Sequence, residues 1–241
     1  MKITLTKKDV VWSYIGTIMS MGSNLLILPF ILYFLDEDMF GLWGIFASIG
    51  TIATLFDFGF SVTFARNITY CWSGTSNLKK EGVIFIENHE VDFKLMKCVL
   101  TTCKRIYLLL SSIALIIMLT IGTGYVFYVS RTINGYIHFL SWIIYSVAAF
   151  LNLYYGYFAS FLRGVGAVDE VNINTVIARS VQIVSAIILL FLGAGITGVC
   201  IAYLLYGSVF RLLGKYKFYR YNHIGEHLEQ VTENPSKDEQ R

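Results

Sequence analysis

Six apolar runs, each long enough to cross a lipid bilayer, follow one another along this chain at residues 10–35, 40–69, 99–129, 133–162, 171–192 and 196–213. A helix needs about 20 apolar residues to traverse ~30 Å of hydrocarbon, and a backbone in that medium must satisfy its own hydrogen bonds. No run alternates apolar and polar residues with the period of a strand, so a barrel is excluded. Hydrophobic residues make up 56% of the chain against 15% charged, with a mean hydropathy of +0.61, more apolar than a water-facing surface sustains. The sequence therefore predicts an all-α membrane protein: a six-transmembrane-helix bundle over residues 1–220 and a polar, disordered tail over residues 221–241 that contains Pro235.

Three of the connections are very short: Asp36, Glu37 and Asp38; Ser130, Arg131 and Thr132; Gly193, Ala194 and Gly195. Helical hairpins follow. The longest connection, from Cys71 to about Cys98, reads either as a segment lying on the membrane surface or as a short soluble turn. Basic residues in the flanks set orientation. One side collects Lys2, Lys7, Lys8, Lys79, Lys80, Lys94, Lys97, Lys104, Arg105, Arg163, Arg211, Lys215, Lys217 and Arg220, whereas the other holds Arg131 beside the acidic first turn. Both termini are thus expected in the cytoplasm, in keeping with an even number of spans, and the first span reads as an uncleaved signal anchor.

Much chemistry is excluded. Cys71, Cys98, Cys103 and Cys200 form no C-x-x-C pair and no zinc spacing. His223 and His227 stand four apart but lack the flanking glutamate of a metal helix. There is no phosphate-binding glycine loop and no nucleophile elbow, and the basic residues flank apolar runs instead of forming a nucleic-acid face. The expectation is a protein that is not an enzyme, with no metal, cofactor or nucleic-acid partner.

Ionisable groups inside a span cost roughly 2.5–3.5 kcal/mol at a helix centre, so they face protein or water. Arg179 is the sharpest case. Counted from Glu170, nine residues at ~1.5 Å each put it about 14 Å deep, near the midplane. Asn172, Thr175 and Gln182 share its helical face. This stripe either lines a polar cavity or packs against carbonyls of a neighbouring helix. In the second span, Asp57 and Arg66 are nine residues apart, about 13 Å on a straight helix, too far to pair. Asp57 could meet a cation on another helix, such as Arg179, or take a proton; Arg66 stands at the cytoplasmic mouth or is a topological anchor. Ser13, Thr17, Ser20 and Asn24 form a face on the first span before Pro29, which implies a bend. They serve helix packing or share the cavity. Tyr154, Tyr155 and Tyr157, near Asn152, either form an interfacial belt or stack on sugars.

The run GLWGIFASIG from Gly41, DFGFSVTFARNI from Asp57 and LKKEGV from Leu78, together with FLRGVGA from Phe161 and the following Asn172, resembles the bacterial polysaccharide-repeat flippases. These O-antigen unit exporters belong to the multidrug/oligosaccharidyl-lipid/polysaccharide exporter superfamily. The resemblance implies two six-helix lobes around a central cavity that opens alternately to either side of the bacterial inner membrane. It implies an undecaprenyl-pyrophosphate-linked oligosaccharide as cargo, with an unspecified coupling ion, H+ or Na+. On this view Arg179, Gln182, Asn172, Thr175, Arg66 and Asn24 bind substrate, and Asp57 serves coupling or a structural ion pair. Only the amino-terminal lobe is matched, so the expected molecule is a partial or half-length chain. It would pair with a second lobe or with itself, amid membrane lipid and polysaccharide-assembly proteins. Two alternatives stand beside this: an accessory or truncated lobe without transport of its own, and half of a small-molecule exporter. A glycan polymerase or transferase is disfavoured because no loop is long enough for a sugar-nucleotide domain.

Overall fold

The computed structural model describes residues 7–74, 91–133 and 135–231. They form α1 (Lys7–Phe34), α2 (Glu37–Thr54), α3 (Phe60–Trp72), α4 (Phe93–Ile117), α5 (Thr123–Val129), α6 (Ile137–Tyr154), α7 (Tyr157–Gly164), α8 (Val168–Phe191), α9 (Gly195–Arg220) and α10 (Ile224–Gln230). No strand occurs among the described residues. Six of these stretches are long and apolar enough to cross a membrane, and the chain is an all-α six-helix membrane bundle. Ile18 is 70% exposed and Met21 76%, and similar large apolar side chains cover the outside of the other spans. Lipid solvates such a surface; water would not.

Helix starts follow from the charges beside them. Asp36 Oδ1 accepts from the Met39 amide at 2.8 Å, and Glu37 and Asp38 occupy the first turn of α2, so the acidic cluster caps a helix and opposes its dipole. Asp92 does the same for α4 through the Leu95 amide at 2.8 Å. That cap starts the third span at Phe93, ahead of the expected residue 99. At the turn between α8 and α9, Gly193 and Gly195 have positive φ (78° and 52°), which glycine adopts without a Cβ clash.

Packing runs in one direction around the bundle: α1 lies on α8, α8 on α9, α9 on α6, α6 on α4, and α3 on α7. Helices α1 and α2 share a tight turn but diverge from each other. The buried side chains separate into two clusters. One, around Phe64, Trp72, Met96, Phe161 and Phe218, lies at the end rich in Lys and Arg; the other, around Phe46, Trp142, Tyr145 and Ile196, lies at the opposite end.

Two spans expected to be continuous are broken between these clusters. The second passes from α2 through a 3-10 turn (Leu55–Asp57) into Phe58 and Gly59, both left-handed (φ 47° and 78°), before α3 resumes. The fourth breaks at Tyr155 and Gly156, between α6 and α7. The third contains a π-helical turn over Met118–Gly122. The first, by contrast, stays helical through Pro29.

The expected tail also differs. Tyr221–His223 form a 3-10 turn and α10 follows, with Ile224 and Leu228 buried in the cluster that holds Trp72 and Phe218. His227 stacks on Phe93 at 4.5 Å, and Lys97 Nζ donates to the Val231 carbonyl at 2.6 Å. Two apolar residues four apart suffice to dock one helical turn and more. The remaining tail, 232–241, and positions 75–90 of the long connection lie outside the described residues, Lys79 and Lys80 among them.

Helices α3 and α7 approach closely at Gly164. A Cβ there would stand 2.7 Å from the Ala65 carbonyl oxygen and 2.7 Å from Ile68 Cβ, and Thr69 Oγ1 donates to the Gly164 carbonyl at 2.9 Å. Gly164→Val should therefore separate the pair and destabilise the bundle by about 1–3 kcal/mol, read as a lowered unfolding midpoint in detergent by circular dichroism. Gly44→Ala, where a Cβ meets nothing within 4 Å, should be neutral or slightly stabilising. Equal stability of Gly164→Val and the parent would contradict the close approach.

Candidate functional site

Two cavities occupy the level between the apolar clusters. The first, of about 380 Å³, lies among α1, α2, α6, α8 and α9 and is lined by Asn24, Thr51, Thr54, Tyr145, Arg179 and Gln182, among others. Asn24, Leu25, Thr51 and Thr54 on its walls are exposed, so it is a cleft open on the side where α1 and α2 diverge. The second, of about 430 Å³, is lined by Asp57, Ser61, Tyr107, Asn152, Gly156, Arg179 and Tyr206. Gly50, Thr54, Arg179 and Tyr203 belong to both.

Arg179 thus stands where the two cavities meet. It is the twelfth of the 24 residues of α8, at mid-span as its position in the sequence predicts. Its Nη1 donates to Gln182 Oε1 at 2.7 Å, and its guanidinium lies over the Tyr206 ring, 4.1 Å from the centroid. Its Nε is buried without a hydrogen-bond partner. Gln182 comes from the next helical turn, three residues on, which is why the pair shares a face. Among the described residues no carboxylate pairs with Arg179. The group is held by an amide oxygen and an aromatic face and retains unmet donor capacity.

Asp57 also lines the second cavity, but its bonds go elsewhere. Its Oδ2 accepts from Ser61 Oγ at 2.7 Å, and its Oδ1 accepts from Tyr107 Oη at 2.5 Å. A carboxylate just before α3 faces the positive end of that helix, and Tyr107 on α4 locks it in place. The pairing of Asp57 with Arg179, one of the alternatives open for this carboxylate, does not form: Asp57 is bonded to Ser61 and Tyr107, and Arg179 to Gln182.

Backbone disruption coincides with this level. The turn carrying Asp57 and the break at Gly156 both line the second cavity, where polar surroundings can take up backbone groups released from helical bonding. On α1, Pro29 has no amide hydrogen to give the Leu25 carbonyl, and Leu25 lines the first cavity.

The remaining residues of the predicted stripes divide. Asn24 lines the first cavity. Asn172 donates from Nδ2 to Ser13 Oγ and to the Val168 carbonyl, each at 3.0 Å, and lies against Gly16 of α1. It binds α1 to α8 and lines neither cavity. Thr175 Oγ1 donates to the Val171 carbonyl at 2.9 Å and likewise lines neither. Arg66 is exposed on α3, away from both. Thr17 and Ser20 are exposed on α1. Tyr157 is buried in the apolar cluster, with Tyr154 and Tyr155 packed against it.

Several contributors were not singled out from the sequence. Tyr107 fixes Asp57, Tyr206 faces Arg179, and Tyr203 stacks between Tyr145 (5.0 Å) and Tyr206 (6.1 Å). Tyr203, Tyr206 and Phe210 fall at i, i+3 and i+7 on α9, a helical aromatic face that was available as a signal. Among the described residues no three His, Cys, Asp or Glu side chains gather as metal ligands.

The cavities hold polar groups at mid-span, so water should reach them. The four native cysteines are buried, which keeps the background low. In membranes, Thr54→Cys should react with a small charged methanethiosulfonate at least about tenfold faster than Ile116→Cys on the lipid-facing surface, since the thiolate requires water. Equal rates would mean a dry cleft. Compared with family models, with curated proteins and with solved structures, the chain finds no match.

Proposed function

We propose that this bundle is one lobe of a transporter that moves a lipid-linked oligosaccharide repeat unit across the bacterial inner membrane for surface polysaccharide biosynthesis. One observation carries it: Arg179 lies at mid-span, at the junction of two polar cavities, with no carboxylate partner among the described residues. A cation held at mid-span without a counter-ion is costly even when half-buried, and an arriving anion offsets that cost. A pyrophosphate joined to sugars is anionic and strongly hydrated, and needs such a path through hydrocarbon. The unmet donor of Arg179 and the amides of Asn24 and Asn152 suit phosphate and sugar oxygens, and the Tyr203–Tyr206 face suits sugar rings.

The likeness of the motifs at Gly41, Asp57 and Phe161 to O-antigen flippases points to the same cargo, an undecaprenyl-pyrophosphate-linked glycan. Translocation of this kind makes and breaks no covalent bond, so the protein is not an enzyme on this account. The charge distribution favours cytoplasmic termini. A facing lobe, from a second chain or a second copy, would close the cleft between α1 and α2, whose polar walls at Asn24, Thr51 and Thr54 are exposed. That same openness favours a second reading, an accessory lobe that completes its cavity only inside polysaccharide-assembly machinery.

In liposomes carrying the assembled, active protein and a fluorescent lipid-linked oligosaccharide, Arg179→Ala should slow flipping by about one to two orders of magnitude without altering insertion. Arg179→Lys, which keeps the charge but not the fork, should fall between. Flipping by Arg179→Ala at the parent rate would remove this residue from the mechanism.

A further inference from the structure

At the Lys- and Arg-rich end, apart from the two mid-span cavities, a third cavity of about 680 Å³ opens between α4, α9 and α10 and the α6–α7 break. Lys97, Lys104 and Lys215 line it, together with Tyr154, Tyr155, Tyr219 and a single carboxylate, Glu229. Three lysines and one glutamate therefore share its lining. Lys97 donates to the Val231 carbonyl at 2.6 Å, which ties α10 over the cavity, and Gly225, Leu228 and Glu229 of α10 form that wall. Lys104 is half-buried and Lys215 exposed; neither has a hydrogen-bond or ion-pair partner among the described residues. Arg211 stands one turn from Lys215, stacked on Tyr155 at 5.6 Å from the ring centroid.

Flanking lysines of a membrane protein ordinarily extend into water around the rim of the bundle. Here three of them line one cavity together with four tyrosines and a docked helix, and Lys97 holds that helix through the Val231 carbonyl. Ammonium groups are point charges suited to phosphate, and tyrosine hydroxyls supply neutral donors for ester and glycerol oxygens. The cavity lies at the Lys- and Arg-rich end of the spans, the level at which headgroup phosphates of an adjoining leaflet would meet it.

We infer that this cavity is a binding site for a phosphate ester, of the kind carried by an anionic phospholipid headgroup, with Lys104 and Lys215 as its free cations and α10 as its lid. The site is separate from Arg179 and does not require that the bundle transport anything.

Native mass spectrometry of the full chain released from nanodiscs tests it. Phosphatidylglycerol should be retained in preference to phosphatidylcholine, and Lys104→Gln/Lys215→Gln should lower that retention by about tenfold, while Lys104→Arg/Lys215→Arg keeps it. Arg220→Gln, at the same end but outside the cavity, should leave it unchanged. A parallel arm measures thermal stabilisation of lipid-free protein in detergent by inorganic phosphate or glycerol 3-phosphate. Stabilisation of the parent but not the Gln variant, with no lipid retained, would also support the site and assign it a soluble ligand. Equal retention of both lipids, an undiminished signal in the Gln variant, or no response in either arm would overturn it.

Discussion

A guanidinium at mid-span sets the terms for everything around it. Hydrocarbon cannot solvate Arg179, so the bundle must bring water, partners or both to that level. Part of the demand is met by Gln182 from its own helix and by the Tyr206 ring from α9. The rest is met by space: two cavities of about 380 and 430 Å³ that share Arg179 as a wall. The apolar side chains divide accordingly into one cluster at each end, with the polar layer between them.

The same layer explains where the backbone gives way. A span in lipid holds its helical bonds because nothing else can replace them, yet the second and fourth spans both break here. Asp57 steadies the first break by joining the first turn of α3 to α4, with the Ser61 and Tyr107 hydroxyls as its donors. Gly156 lies beside the cavity at the second. The first span, packed on α8 along one face and exposed on the other, stays helical even through Pro29. Broken helices beside a polar cavity, and a cleft left open between α1 and α2, accord with the proposed role as one lobe of a transporter.

Much of this was legible from residue order, for reasons of period and length. Apolar run length gave the six spans, and the i, i+3 relation of Arg179 and Gln182 put them on one face, as they are. The same period misled for Asn172 and Thr175: they share the face, but a ten-residue stripe extends about 15 Å along a helix, and its far end meets α1 instead of the cavity. The break at Phe58 and Gly59 carried only one glycine as a signal, weak within an apolar run. The partner that stabilises it, Tyr107, is fifty residues away in sequence, beyond any local pattern. Ile224 and Leu228, alone among His223, Glu226 and His227, were too few to announce a docked helix, so the start of the tail read as disordered.

If an uncompensated cation awaits an anion, cargo charge must decide binding. The direct measurement is native mass spectrometry of the protein with one glycan carried on two lipids, undecaprenyl pyrophosphate and an uncharged polyprenol. Retention of the pyrophosphate-linked form alone, at one molecule per cavity-bearing assembly, is the predicted result. Equal retention of the two forms, or retention of only the uncharged one, would contradict it.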